Sequence, residues 1–272
     1  MSADAPNWVE LEGGVNARDV GGLPAGNGRT LRPGALIRSA NLQHLTPDDV
    51  HRLVVSIGVR RIVDLRTDVE LEGEGPGPLN DVPDVTIHHL SLFPDVLDRA
   101  DSVSEAAVPD PLAAGVQAEV PMPWHDEVAT ARGPVVSSYL RFLEQRPDSI
   151  VAALRAIAQP DGATVVHCAA GKDRTGVVVA LALSVAGVAQ DVITADYGAT
   201  ESQIGAIVDH LSRSTLYSRE VSAPENTPAP TAEVMQSVLD AISEEHAGVL
   251  PWLADHGWTD ADTDRLRTKL LG

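Results

Sequence analysis

Apolar residues recur along this chain with two different periods. Runs in which apolar positions alternate or follow one another, at residues 8–11, 35–38, 61–65, 85–92 and 164–167, predict β-strands. Between them lie segments with apolar residues three or four positions apart, the spacing of a helix face. One helix starts at Thr46-Pro47-Asp48-Asp49, which combines a capping hydroxyl, a proline at the first helical position and carboxylates at the positive dipole end. It is expected to run to about Ile57 and stop at Gly58. Residues 134–143 and 150–158 carry helical spacing split at Pro147, and 177–189 is apolar on every side, as in a buried helix. Helices are also expected at 190–200, 202–211 and most of 231–271, with breaks near 248–251 and at Gly257. Strands alternating with helices predict an α/β fold, with a central, mainly parallel or mixed sheet flanked by helices.

Two segments interrupt this pattern. Residues 94–133, punctuated by Pro94, Pro109, Pro111, Pro121 and Pro123, are too long for a plain connection and are expected to form a functional insertion. Within it, 96–107 could be helical. Residues 214–230 are rich in Ser, Thr and Pro and read as a linker or hinge. Residues 1–272 read as one domain, with 231–272 as a helical C-terminal cap.

The charge balance narrows the partners. Acidic residues number 39 against 20 basic ones, a net charge of −19, so neither nucleic acid nor an anionic membrane surface is expected to bind. The thirteen residues of 177–189 fall short of the ~20 needed to cross a bilayer, and no stable membrane insertion is expected. The start MSADAPNWVELEG lacks a basic stretch followed by an apolar one, which points to a cytoplasmic protein; export without such a segment would leave no mark. One cysteine excludes an internal disulfide and a cysteine-rich metal site, and neither metal nor cofactor is expected. An acidic body repels anionic substrates, so a site for one must supply its own positive field. Lysine occurs only at Lys172 and Lys269, which makes Lys172 conspicuous.

Lys172 sits in VVHCAAGKDRTG, residues 165–176. Strand residues lead into Cys168, and a tight loop then delivers Arg174 and a helix. Ala169, Ala170, Gly171, Lys172, Asp173 and Arg174 can wrap one point at that helix's N-terminus, aiming backbone N–H groups inward. A phosphate dianion fits such a cradle, and the planar fork of Arg174 can hold two of its oxygens. The same field stabilises a thiolate, the nucleophilic form of Cys168. Gly171 is expected to permit the curvature. His167 is expected to point away from the pocket and organise hydrogen bonds beneath the loop. The Thr175 hydroxyl could meet the departing thiolate or cap the helix. Arg18 and Asp19 are expected to lock a turn under the sheet.

The string HCAAGKDRTG resembles the signature of atypical bacterial tyrosine phosphatases, a PtpB-like branch of the cysteine-dependent phosphatases. NARDVGG at 16–22, IRSANL at 37–42, VDLR at 63–66 and the stretch from Val192 through Asp196, Tyr197 and Thr200 look like further landmarks in matching order. The resemblance implies a tyrosine-phosphatase-like domain with a helical lid over the active site in 94–133. It implies metal-independent hydrolysis of phosphotyrosine through a cysteinyl-phosphate and, as in several members, of phosphoserine, phosphothreonine and phosphoinositides. The substrate would be a phosphorylated protein or a phosphoinositide. Cys168 would attack phosphorus while Arg174 binds the equatorial oxygens.

The leaving oxygen needs a proton, and three aspartates compete to give it. The resemblance favours Asp173. Asp64, ending a neighbouring strand, is second and could instead hold Arg174 or a water; Asp95, in Phe93-Pro94-Asp95, is third. A carboxylate beside a phosphate must be protonated or paired, with Lys172 at hand. A nucleotide-binding GK loop fails, because it needs Ser or Thr after Lys172 and glycine where Val166 stands. A phosphoinositide phosphatase is the alternative with the same chemistry, and a non-catalytic phospho-binding module the alternative of another class.

Overall fold

The computed structural model describes residues 6–94, 132–218 and 228–271. Asp95, most of the expected lid and residues 219–227 of the expected hinge lie outside the described residues. Eight strands are described: β1 (Asn7–Trp8), β2 (Arg18–Asp19), β3 (Pro24–Ala25), β4 (Arg29–Thr30), β5 (Leu36–Ser39), β6 (Val59–Asp64), β7 (Thr86–His89) and β8 (Ala163–His167). β3 and β4 pair with each other, and the remaining six form one sheet of order β1-β2-β5-β8-β6-β7. β5, β8, β6 and β7 run parallel, and β2 and β1 extend the β5 edge antiparallel. The architecture is the expected mixed sheet flanked by helices.

Side-chain alternation explains why these strands read as unbroken apolar runs. Ile37, Ile62 and Val165 face one layer with Leu42, Leu45 and Leu53, while Leu36, Val63 and Val166 face the other. Both faces of the sheet are therefore buried. The first layer is built on α1 (Pro47–His51), whose predicted cap is present: the Asp49 N–H donates to Thr46 Oγ1 and the Thr46 N–H to the Asp49 carboxylate. A π-helical stretch over Arg52–Ile57 continues it to Gly58, which takes the left-handed φ of +82° that ends the helix. Next comes α2 (Asp68–Glu74), a helix the apolar period did not reveal.

The other layer holds α3 (Pro134–Gln145), α4 (Pro147–Ile157) and α5 (Asp173–Val185). Pro147 does not merely interrupt a helix; it opens α4, where its missing N–H costs nothing. α5 is buried along its whole length apart from Ser184, as its uniform apolarity requires. Then follow α6 (Gln190–Gly198), α7 (Ile204–Ser212), α8 (Ala232–His246), α9 (Val249–Asp255) and α10 (Asp260–Leu271). Leu253, Leu266 and Leu270 of the last two join the same apolar cluster as Val166 and Val178. Register decides where the site lies. His167 pairs with Ser39 on one side and Asp64 on the other, so β5, β8 and β6 end flush. The chain leaves all three at one carboxyl edge, where open α/β sheets place their ligands.

Candidate active site

Beyond that edge, residues 168–172 curl back to the start of α5. Three carbonyls of the loop are turned outward. Ala169 O accepts from the Asn41 N–H (2.9 Å), Ala170 O from Asn16 Nδ2 (3.1 Å), and Gly171 O from both Asn16 Nδ2 and an Arg38 terminal nitrogen (3.1 Å each). In a trans peptide the N–H opposes the C=O, so the N–H groups of residues 170, 171 and 172 turn inward. Gly171 is required twice over: its φ is +65°, and a Cβ there would stand 2.3 Å from Ser39 O. Asn16 supplies its two bonds from a left-handed backbone, φ +55°, which asparagine tolerates better than most residues.

A buried charge cluster underpins this scaffold. Asp196 accepts from Arg18 Nε at 2.9 Å and Arg38 at 2.7 Å, while Arg18 also bonds Asn16 Oδ1 at 2.6 Å. Burial and repulsion from Arg38 push Arg18 down to about 10 despite Asp196. Asp19 locks its turn as expected, accepting the N–H groups of Gly21 and Gly34. Arg18 instead reaches across to Asp196 of α6 and to Thr200 in the turn that follows it. The landmarks at 16–18, 38 and 196–200 are thus one bracket behind the loop.

Cys168 and Arg174 are both buried, at 2% exposure. Arg174 is gripped by Glu70, its two terminal nitrogens bonding Oε2 at 2.5 Å and Oε1 at 2.8 Å. Burial opposes charge on Arg174, but Glu70 and then Cys168 hold its basicity above the ordinary value. Its Nε finds no hydrogen-bond partner among the described residues, nor does Thr175 Oγ1. Thr175 lies inside α5, so its hydroxyl is not a helix cap. Phe93 places its ring 5.5 Å from the Arg174 guanidinium carbon.

Glu70 was not among the expected site residues. It is fully buried and fully bonded: beyond Arg174, its Oε2 accepts the Thr67 N–H at 2.7 Å and its Oε1 the Tyr217 hydroxyl at 2.9 Å. The Thr67-x-x-Glu70 capping box that builds α2 was the signal that could have revealed it.

Asp64 does not hold Arg174. Arg66 takes both of its oxygens, with Nε at 2.9 and 3.1 Å and a terminal nitrogen at 2.6 Å, and the Arg66 N–H adds a bond to Oδ1. Burial raises the Asp64 carboxyl, but His167 and Arg66 lower it further, below the usual carboxylate range. His167 lies beneath the loop with Nε2 3.5 Å from Asp64. Burial pushes its imidazole down to about 4, against the attraction of Asp64.

That shift carries a stability prediction. Between pH 6.5 and 4 the unfolded chain binds a proton at His167 that the folded chain does not, so stability falls as pH falls through this window. The expected contribution is up to about 3 kcal/mol. Urea titrations should show this slope, and His167→Gln should flatten it; an unchanged slope would remove His167 from the explanation.

Asp173 opens α5, 5% exposed, with Oδ1 3.7 Å from Lys172 Nζ. The Tyr139 hydroxyl also donates to Oδ1, and the Tyr197 hydroxyl lies 2.8 Å from that of Tyr139. Lys172 further donates to Pro228 O at 3.0 Å. Gly176 allows Tyr197 in: a Cβ there would meet its ring at 2.8 Å. The fold therefore gathers His167, Cys168, the loop 169–174, Thr175 and Asp64 at one edge, and adds Glu70, Tyr139, Tyr197 and Tyr217.

Residues 9–272 match a sequence model described as the Tyrosine phosphatase family. The chain belongs to that family. The phosphatase is 31% identical to the triple specificity protein phosphatase PtpB of Mycobacterium tuberculosis, an alignment covering 97% of this chain and 99% of that protein. It is 24% identical to a tyrosine-protein phosphatase of Nostoc commune, over 91% of this chain and 78% of the relative. The phosphatase thus acts on phosphorylated substrates, and among its described residues no helix is long and apolar enough to cross a membrane.

Proposed function

We propose that Cys168 carries the phosphoryl group during hydrolysis of phosphotyrosine and also of phosphoserine and phosphothreonine. The Cys168 thiolate attacks phosphorus, forming the S–P bond as the ester P–O bond breaks. Asp173 donates a proton to the leaving oxygen, then accepts one from the water that attacks the cysteinyl-phosphate and releases inorganic phosphate. Arg174 and the inward amides hold the equatorial oxygens in both steps, and no metal takes part. Thr175 steadies the departing thiolate, and Asp64 with His167 supports the loop from below.

The observation that carries this reading is the set of unmet donors beside Cys168. Arg174 Nε and Thr175 Oγ1 are buried without partners among the described residues, and a phosphoryl group would satisfy them together with the inward N–H groups. Asp173 is favoured as the acid because Arg66 occupies both oxygens of Asp64. Phosphoinositides are a second substrate class, favoured by Lys172 within the loop and by a relative named for triple specificity. The enzyme is proposed to be cytoplasmic and to form one domain over 1–272, with 94–133 as lid, 214–230 as hinge and 231–272 as cap. Leucines of α9 and α10 sharing a core with β8 and α5 support the single domain.

Hydrolysis of an aryl phosphate in excess EDTA tests the reaction, and full activity is expected. Asp173→Asn should lose more with poor leaving groups than with nitrophenyl phosphate, whereas Asp64→Asn should lose equally with both. Abolition by EDTA would overturn the metal-free reading, and the reverse pattern would move the acid to Asp64.

A further inference from the structure

The chain has three tyrosines, and all are buried beside the loop. Two of them end on Asp173. Tyr139, on α3, is 0% exposed and donates its hydroxyl to Asp173 Oδ1. A phenol has one proton, so the Tyr139 oxygen can only accept from Tyr197, on α6, whose hydroxyl is 2.8 Å away. The ring positions are fixed as well. Tyr197 meets Tyr139 edge-on with centroids 6.3 Å apart, and Tyr139 stacks on Phe142 at 6.0 Å. Phenylalanine would fill both places, and burying two hydroxyls is costly unless each is bonded. Their bonds run in one direction, toward a single oxygen of a single carboxylate.

We propose that Tyr139, backed by Tyr197, is a positioning residue that anchors Oδ1 of Asp173 so that Oδ2 delivers the proton to the leaving oxygen. This rests on Asp173 being the general acid. Lys172, 3.7 Å from the same Oδ1, adds to the anchor from within the loop. Tyr139 therefore acts through Asp173, by fixing which of its oxygens is turned to the substrate.

Tyr139→Phe keeps the ring and removes only the donor. With phenyl or alkyl phosphates its kcat/KM should drop about tenfold, part of what a general acid contributes, and with nitrophenyl phosphate less than about threefold. The loss with poor leaving groups should fall on kcat, with KM within about twofold. Tyr197→Phe should show the same split with a smaller loss, and it serves if Tyr139→Phe does not fold. Asp173→Asn, measured alongside, should show the same leaving-group dependence with a larger loss. Equal losses on all substrates, while Asp173→Asn shows its leaving-group dependence, would overturn the positioning role alone. No leaving-group dependence in Asp173→Asn would overturn the acid assignment and the positioning role with it.

Discussion

Cys168→Ser should lower turnover about 10⁴-fold or more while the protein still binds inorganic phosphate. Serine matches the shape of cysteine, and Cys168 is buried at the end of β8 where the surroundings are already set. The outward carbonyls of 169–171 are fixed by Asn41, Asn16 and Arg38, none of which contacts the sulfur in order to do so. The anion cradle should therefore survive the substitution. An alcohol, however, stays protonated where a thiol ionises, and the adjacent His167 is turned to Asp64, 3.5 Å from its Nε2. Steady-state kinetics and phosphate calorimetry on the variant separate the two properties. Loss of phosphate binding together with activity would mean that the sulfur shapes the loop, and retained activity would mean that it is not the nucleophile.

Glu70→Ala should cost about 3–5 kcal/mol of stability, the range seen when one partner of a buried ion pair is removed. Arg174 would stay charged and buried, keeping, among the described residues, only its 3.3 Å hydrogen bond to Leu65 O. The Thr67 N–H and the Tyr217 hydroxyl would lose their acceptor as well, which removes one half of the capping box of α2. Activity should fall too, because Arg174 would no longer be held in one orientation when phosphate arrives. Glu70→Gln, which keeps an acceptor but not the charge, should fall between the two proteins. Urea unfolding at neutral pH gives the comparison; a cost below about 1 kcal/mol would show that Arg174 finds another partner.

How far this could be read beforehand depended on whether the cause was local. The loop and its nucleophile were legible because cradle, thiol and guanidinium lie within seven consecutive residues, and the elements around them follow from apolar period, caps and prolines. α2 escaped notice because Asp68–Glu74 is short and its buried residue is an acid, not an apolar one. Glu70 escaped with it: in the sequence it stands 104 positions from Arg174, and only the sheet order brings β6 next to β8. Tyr197 stood only as a landmark of the resemblance and Tyr139 drew no reading, since nothing local says that their hydroxyls converge on Asp173. Asp64, the second choice for the acid with Arg174 or a water as its alternative partner, binds its near neighbour Arg66. Two positions along a strand's exit outweighed the longer reach to Arg174.

The central claim is that Cys168 sulfur bonds covalently to phosphorus during turnover. Rapid acid quench of the enzyme on an aryl phosphate, followed by mass mapping of its peptides, tests this directly. The account predicts a phosphoryl group on the peptide that carries Cys168, forming at the rate of the initial burst. A burst with the phosphoryl group on any other residue, or with none on the protein, would contradict it.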